Sequence, residues 1–265
     1  MTGDPSAEPL PLIAPVPGSS FSGLLVRLGL ESPWSGQVDP NRLPVAEATT
    51  VLAIRFPGGV ALVGDRQATE GNLVAHRRIQ KVFQADEFSA VAIAGVAGIA
   101  LEMVRLFQTE LEHYEKIRSH RLSLEGKATY LARMVRNQLP MAFQGLVVVP
   151  LFAGYDEEQE TGRVFTYDVV GGRYEEQDFG ATGSGSKEAK AFLRGFYRPD
   201  LSEDEALDIG MGALVAAAQE DTATGGPDLH RGILPNLVIV TSAGYHDVDP
   251  ERVRAVAERA LTTIR

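Results

Sequence analysis

The sequence predicts an α+β fold, a four-layer αββα sandwich in which two antiparallel sheets face each other and helix pairs cover the outside. Three observations predict it. Strand-like runs come in blocks instead of alternating singly with helices, which argues against a doubly wound parallel sheet. Helical apolar stripes come in pairs between those blocks. Every element carries an apolar face, and two facing sheets with helices outside bury all of them.

The elements follow in chain order. Residues 50–56 (TVLAIRF) and 60–64 (VALVG) are β-branched runs separated by Pro57-Gly58-Gly59, a hairpin signal. Residues 81–84 and 88–94 (FSAVAIA) read as two more strands. A helix follows, with Ala100, Met103, Val104, Phe107, Leu111 and Tyr114 at steps of three and four. A second helix is expected over 123–144, opened by Ser123 and Glu125. Strands return at 147–155, 164–170 and 174–179, and helices at 186–196 and 202–219. Residues 237–241 (LVIVT) read as a buried strand and 251–264 as a closing helix.

Residues 1–48 differ from this pattern. They hold eight of the fifteen prolines and only seven charged residues, and no apolar periodicity is sustained. Such a stretch is a disordered tail or a removable propeptide; residues 21–30 (FSGLLVRLGL) are its one amphipathic piece. It lacks the basic region and unbroken apolar run of a secretory signal. The domain boundary is therefore set at 48/49, with 49–265 as one domain.

Composition narrows the function. The chain has 265 residues and a net charge of −10, and residues 49–265 hold 23 basic against 30 acidic side chains. This balance gives no nucleic-acid footprint, which needs clustered cations to displace counterions. The absence of cysteine removes disulfides, thiolate catalysis and Cys-based zinc sites. Five scattered histidines form no H-x-x-x-H or H-E-x-x-H pair, so no metal or other cofactor is expected. No run approaches eighteen apolar residues, so no membrane partner is expected. A cytoplasmic enzyme or assembly subunit remains.

Two groups of residues carry possible chemistry. Gly183-Ser184-Gly185-Ser186-Lys187 lacks the P-loop spacing, and as Ser184-x-x-Lys187 it lacks the companion elements of serine acyl transferases. A tight strand-to-helix turn explains it equally well. The second group spans 49–95: Thr49 before the first strand, Asp65 after the second, Lys81 opening the third, and Gly95 ending the fourth. Hairpins bring such strand ends together. Each residue also has an ordinary explanation, as strand former, turn former, edge charge and strand-to-helix break.

Thr49-Thr50, GDRQAT (64–69), KVF (81–83), IAG (93–95), residues 109–116, GSGS (183–186) and DTATGGPDL (221–229) together resemble the β subunit of the 20S proteasome, of the actinobacterial kind. The resemblance covers essentially all of 49–265, with Asp65 and Lys81 at 16 and 32 residues from Thr49. It implies the N-terminal-nucleophile hydrolase fold and a threonine endopeptidase made as a zymogen. Residues 1–48 would be the propeptide, and cleavage between Ala48 and Thr49 would free the nucleophile.

The resemblance assigns further roles. Lys81 favours the deprotonated Thr49 hydroxyl, Asp65 orients Lys81, and the Gly95 N–H stabilises the oxyanion. Ser184, Asp221 and Thr224 support the new terminus, Thr224 standing where serine is commoner. Ala68, Thr69, Ile79, Ile93 and Ala97 fall at specificity-pocket positions; their small and apolar linings suit an apolar P1 side chain, an expectation that Glu70 nearby tempers. The implied partners are other β subunits in a heptameric ring, α subunits, a ring ATPase feeding unfolded protein, and peptide substrate. Residues 21–30 would be a frayed tail or a docking aid. One residue departs from the family: Ala48 stands where glycine is usual, and glycine's free φ suits the turn that self-cleavage needs. Ala48 is also the feature that favours the alternative, a catalytically silent or processing-blocked β-type subunit.

Overall fold

The computed structural model describes residues 49–70 and 73–264. The expected propeptide, its 21–30 segment and Ala48 lie outside the described residues. Within them, twelve strands and six helices form the expected sandwich. One five-stranded antiparallel sheet has the order β10–β1–β2–β11–β12, from β1 (Thr50–Phe56), β2 (Gly59–Gly64), β10 (Phe179–Gly183), β11 (Asn236–Thr241) and β12 (Gly244–Asp247). The other has the order β5–β6–β7–β8–β9, from β5 (Val82–Asp86), β6 (Ser89–Gly95), β7 (Val148–Asp156), β8 (Thr161–Tyr167) and β9 (Arg173–Glu176). A small ribbon, β3 (Ala68–Glu70) with β4 (Leu73–His76), stands apart.

Side-chain alternation at period two builds the layers. Along β1, Val51 and Ala53 turn into an apolar layer shared with Val60, Leu62, Ala90, Ala92, Leu151 and Val238 from both sheets. Their neighbours Leu52 and Ile54 turn the other way, onto α4 (Ser186–Phe196), α5 (Glu203–Glu220) and α6 (Pro250–Thr263). Beyond the second sheet, Val91, Phe152 and Phe165 pack against α1 (Ala97–Arg118) and α2 (Leu124–Asn137). Three helices therefore cover one face and two the other. Ser123 caps α2 by accepting the Gly126 N–H, and Ser202 with Glu205 forms a reciprocal capping box on α5.

Three expectations need correction. The helix expected over 123–144 stops at Asn137, and a separate short helix, α3 (Leu139–Ala142), follows. Pro140 supplies the reason, because a helix running through it would lose a hydrogen bond and meet the proline ring. The strand expected over 174–179 is two strands on different sheets. β9 pairs with β8, and the chain then crosses at 177–178 so that β10 pairs with β1. The strand expected over 164–170 ends at Tyr167, where Asp168 takes the Val170 and Gly172 N–H groups and makes a turn. β3, β4 and β12 were not expected, because at three or four residues each they are too short to show a period-two alternation.

Phe152 centres the second sheet's outer core: it is fully buried, edge-on to Phe107 and stacked with Phe165. Phe152→Ala is expected to cost about 3–5 kcal/mol through lost burial and the cavity left behind, read as a lower midpoint in urea denaturation of the isolated chain.

Candidate active site

The polar groups gather where β1 begins. Thr49 is 3% exposed, and its carbonyl accepts the Ser184 N–H at 2.9 Å. The β1–β10 register opposes Thr50 to Gly183, whose φ is +101°. A Cβ there would stand 1.7 Å from the Thr49 carbonyl oxygen, so only glycine lets β10 close on this residue. This accounts for the first glycine of the GSGS turn.

Asp65, fully buried just past β2, organises the next layer. Its backbone N–H closes the hairpin end on the Thr50 carbonyl at 3.2 Å. Its Oδ1 accepts the Thr50 N–H at 3.1 Å and the Lys81 ammonium at 2.7 Å. Its Oδ2 accepts the N–H groups of Gln67 at 3.1 Å and Gly225 at 3.0 Å. Burial pushes the Asp65 carboxyl above the usual carboxylate range, and the Lys81 charge and the N–H groups of Gly225 and Thr50 oppose that push.

Lys81 is 3% exposed and precedes β5. Its ammonium also donates to the Gln67 carbonyl, and its N–H donates to Asn236 Oδ1 at 3.1 Å, at the start of β11. Its carbonyl accepts the Ile93 N–H at 2.9 Å, which ties it to β6. Gly95 lies two residues further along β6, at the same sheet end. Its φ is +113°, and a Cβ would meet the Val147 carbonyl oxygen at 2.0 Å. The backbone here is a glycine-only bend at the mouth of α1.

Ser184, Asp221 and Thr224 form a second group. Asp221 accepts the Ser184 hydroxyl, the Thr224 hydroxyl at 2.6 Å and the Ala223 N–H at 3.1 Å. Burial opposes ionisation here, but these donors hold the Asp221 carboxyl below the usual range. Thr50 joins the two groups, since its Oγ1 lies 2.6 Å from Thr224 Oγ1 and accepts the Gly185 N–H at 3.0 Å.

The five expected pocket residues sit on three segments. Ala68 is buried in β3, and Thr69 follows it in the same strand. Half-buried Ile79 bonds through its N–H to the Arg66 carbonyl at 3.1 Å. Ile93 belongs to the apolar cluster beneath α1, and Ala97, partly exposed, opens that helix. Sequence reasoning missed four participants: the Thr50 hydroxyl, the Gln67 carbonyl, the Gly225 N–H and the Asn236 side chain. Gln67 and Gly225 act through the main chain, which leaves no side-chain signal. Asn236 stands directly before the 237–241 run, a polar residue entering a buried strand.

Two facing antiparallel sheets with helices outside are the sandwich architecture of the N-terminal-nucleophile hydrolases. Comparison with known proteins narrows this further. A family model described as proteasome subunit matches residues 45–228. A proteasome subunit beta of Acidimicrobium ferrooxidans is 51% identical over 268 residues, covering 100% of this chain and 98% of the relative. One from Streptomyces griseus is 54% identical over 217 residues, covering 80% and 77% of the two chains, and one from Acidothermus cellulolyticus is 52% identical over 236 residues, covering 88% and 80%. The chain belongs to the proteasome subunit family.

Two outcomes are expected. Lys81→Met leaves the Asp65 carboxyl buried without its cation and is expected to destabilise the fold by about 3–5 kcal/mol, measured by chemical denaturation. Asp221 has a lowered folded pKa, so its stabilising contribution is present above its unfolded value and is lost as pH falls through the folded one. The stability gap between wild type and Asp221→Asn is therefore expected to be full near neutrality and to close below about pH 4, as read from thermal midpoints across pH.

Proposed function

We propose that this chain is a proteolytic β subunit of a bacterial 20S proteasome core, a threonine endopeptidase whose nucleophile is Thr49 after removal of residues 1–48. Membership of the family supports the activity. The single observation that best supports the residue assignment is the buried Lys81–Asp65 pair, whose Oδ1 also holds the Thr50 N–H. A cation fixed beside the Thr49–Thr50 segment favours the alkoxide over the alcohol during attack.

The remaining roles follow from chemistry. Before cleavage the Thr49 nitrogen is an amide and cannot act as a base. Afterwards it is an α-amine with a reference pKa of about 7.7–8.0, available to take the hydroxyl proton near neutrality. The Gly95 N–H would donate to the tetrahedral oxyanion. Ser184, Asp221 and Thr224 would hold the new terminus in place. Ala68, Thr69, Ile79, Ile93 and Ala97 would shape a P1 pocket of apolar preference. Assembly into a proteasome-like complex follows from family identity. The proposed form is a heptameric β ring against α rings in the cytoplasm, fed unfolded protein by a ring ATPase, with no cofactor.

Ala48 favours the second reading, a subunit whose processing is blocked, since a Cβ at that position restricts the turn that presents its carbonyl to Thr49. Intact mass after co-expression with the α partner separates the two. A loss matching residues 1–48, with peptidase activity abolished by Thr49→Ala, is the expected result. A mass that stays at full length and is released only by Ala48→Gly sinks self-processing of the natural chain. Activity that survives Thr49→Ala sinks the nucleophile assignment.

A further inference from the structure

We propose that Thr50 is a positioning residue for Thr49, its hydroxyl being the link that locks the Ser184–Gly185 turn onto the peptide plane carrying the nucleophile. This rests on the reading of Thr49 as the nucleophile. The peptide plane between Thr49 and Thr50 is held on both edges: its carbonyl accepts the Ser184 N–H and its N–H donates to Asp65 Oδ1. A planar peptide held at both edges leaves only the torsions of Thr49 itself free to aim its hydroxyl. The Ser184 grip is as rigid as the turn that makes it. That turn is held one residue later by the Gly185 N–H donating to Thr50 Oγ1.

The directions of the hydroxyl protons are forced. An ionised Asp221 accepts only, so the single Thr224 hydroxyl proton, 2.6 Å away, points to it. Thr224 then has no proton left for Thr50, and at 2.6 Å the Thr50 hydroxyl must be the donor. Having spent its proton, Thr50 Oγ1 meets the Gly185 N–H with a lone pair. A one-way chain therefore runs from Gly185 N–H through Thr50 and Thr224 to Asp221, which also takes the Ser184 hydroxyl. Thr50 links the Asp221 group and the Asp65–Lys81 pair, side chain to one and backbone to the other, beside the Thr224–Gly225 step that also touches both. Valine in its place keeps the shape and strands a buried N–H and a buried hydroxyl oxygen.

The test uses full-length chains assembled with the α partner, with rates on a fluorogenic peptide normalised to processed threonine N-termini. A parallel set carries residues 49–265 behind a removable leader, so that self-processing is not required. Thr50→Val is expected to lower kcat by roughly tenfold to a hundredfold, the scale of a small misplacement of a reacting group, with KM within about twofold of wild type. Thr50→Ser, which keeps the hydroxyl, is expected to recover kcat to within about threefold. Thr50→Val combined with Thr224→Val is expected to lose no more than the worse single variant, since both break one chain. Wild-type kcat in Thr50→Val, a loss that serine does not recover, or losses that multiply in the double variant would each overturn the proposal. Failure of Thr50→Val to assemble even behind the leader, with serine restoring assembly, would make the role structural and overturn it too. Thr49→Ala keeps the two readings apart: activity in that variant removes the nucleophile reading, whereas an inactive Thr49→Ala beside a fully active Thr50→Val removes only the role of Thr50.

Discussion

A lysine ammonium and an aspartate carboxylate at 2.7 Å, both almost sealed from water, fix the start of β1 and with it the whole polar end of the sandwich. Such a pair is costly to bury, and it persists only where further hydrogen bonds satisfy what remains of both charges. Asp65 meets that condition with N–H donors from Thr50, Gln67 and Gly225 besides the Lys81 charge. These donors come from the first strand, the turn after the second, the approach to the fifth, and the loop after α5. No single segment can form the site. It exists only when the sandwich has brought these four together.

Backbone proximity completes what the charges begin. Gly183 lets β10 close on the Thr49 carbonyl, and Gly95 lets β6 bend against the Val147 carbonyl on entering α1. Both glycines stand at strand ends, where the apolar layer between the sheets gives way to polar side chains. Lys81 spans the same junction: its N–H reaches Asn236 on one sheet and its carbonyl takes the Ile93 N–H on the other. The lysine's main chain is thus tied to both sheets independently of its side-chain contacts, so the packing of the sheets places the ammonium.

The parts of this arrangement legible in the sequence are those with side-chain chemistry or strong periodicity. Blocks of β-branched residues and paired helical stripes predicted the four layers, and Asp65 and Lys81 were visible as charges at strand ends. The strand break at 177–178 was not legible, because YEEQDF reads as one run and only its neighbours decide that its halves join different sheets. The helix break at Asn137 had its signal in Pro140, which the apolar stripe around it outweighed. At the site, main-chain groups were invisible by nature. The Gln67 carbonyl and Gly225 N–H do what any residue of the right conformation can do, and the Thr50 hydroxyl read as one more β-branched strand residue.

Asp65 and Ser184 hold the Thr49–Thr50 peptide plane, and Gly185 and Thr224 hold the Thr50 hydroxyl. Cutting the chain before Thr49 removes none of them. On the proposed reading this is the physical requirement for a nucleophile made by cleavage, since the threonine must stay aimed when its N-terminal tether is lost. The Lys81–Asp65 pair obeys the same rule. Lys81 Nζ and the Thr50 N–H share one Asp65 oxygen, and the other oxygen takes the N–H groups of Gln67 and Gly225. On the proposed reading, the cation that favours the alkoxide is thus in place before the bond is cut.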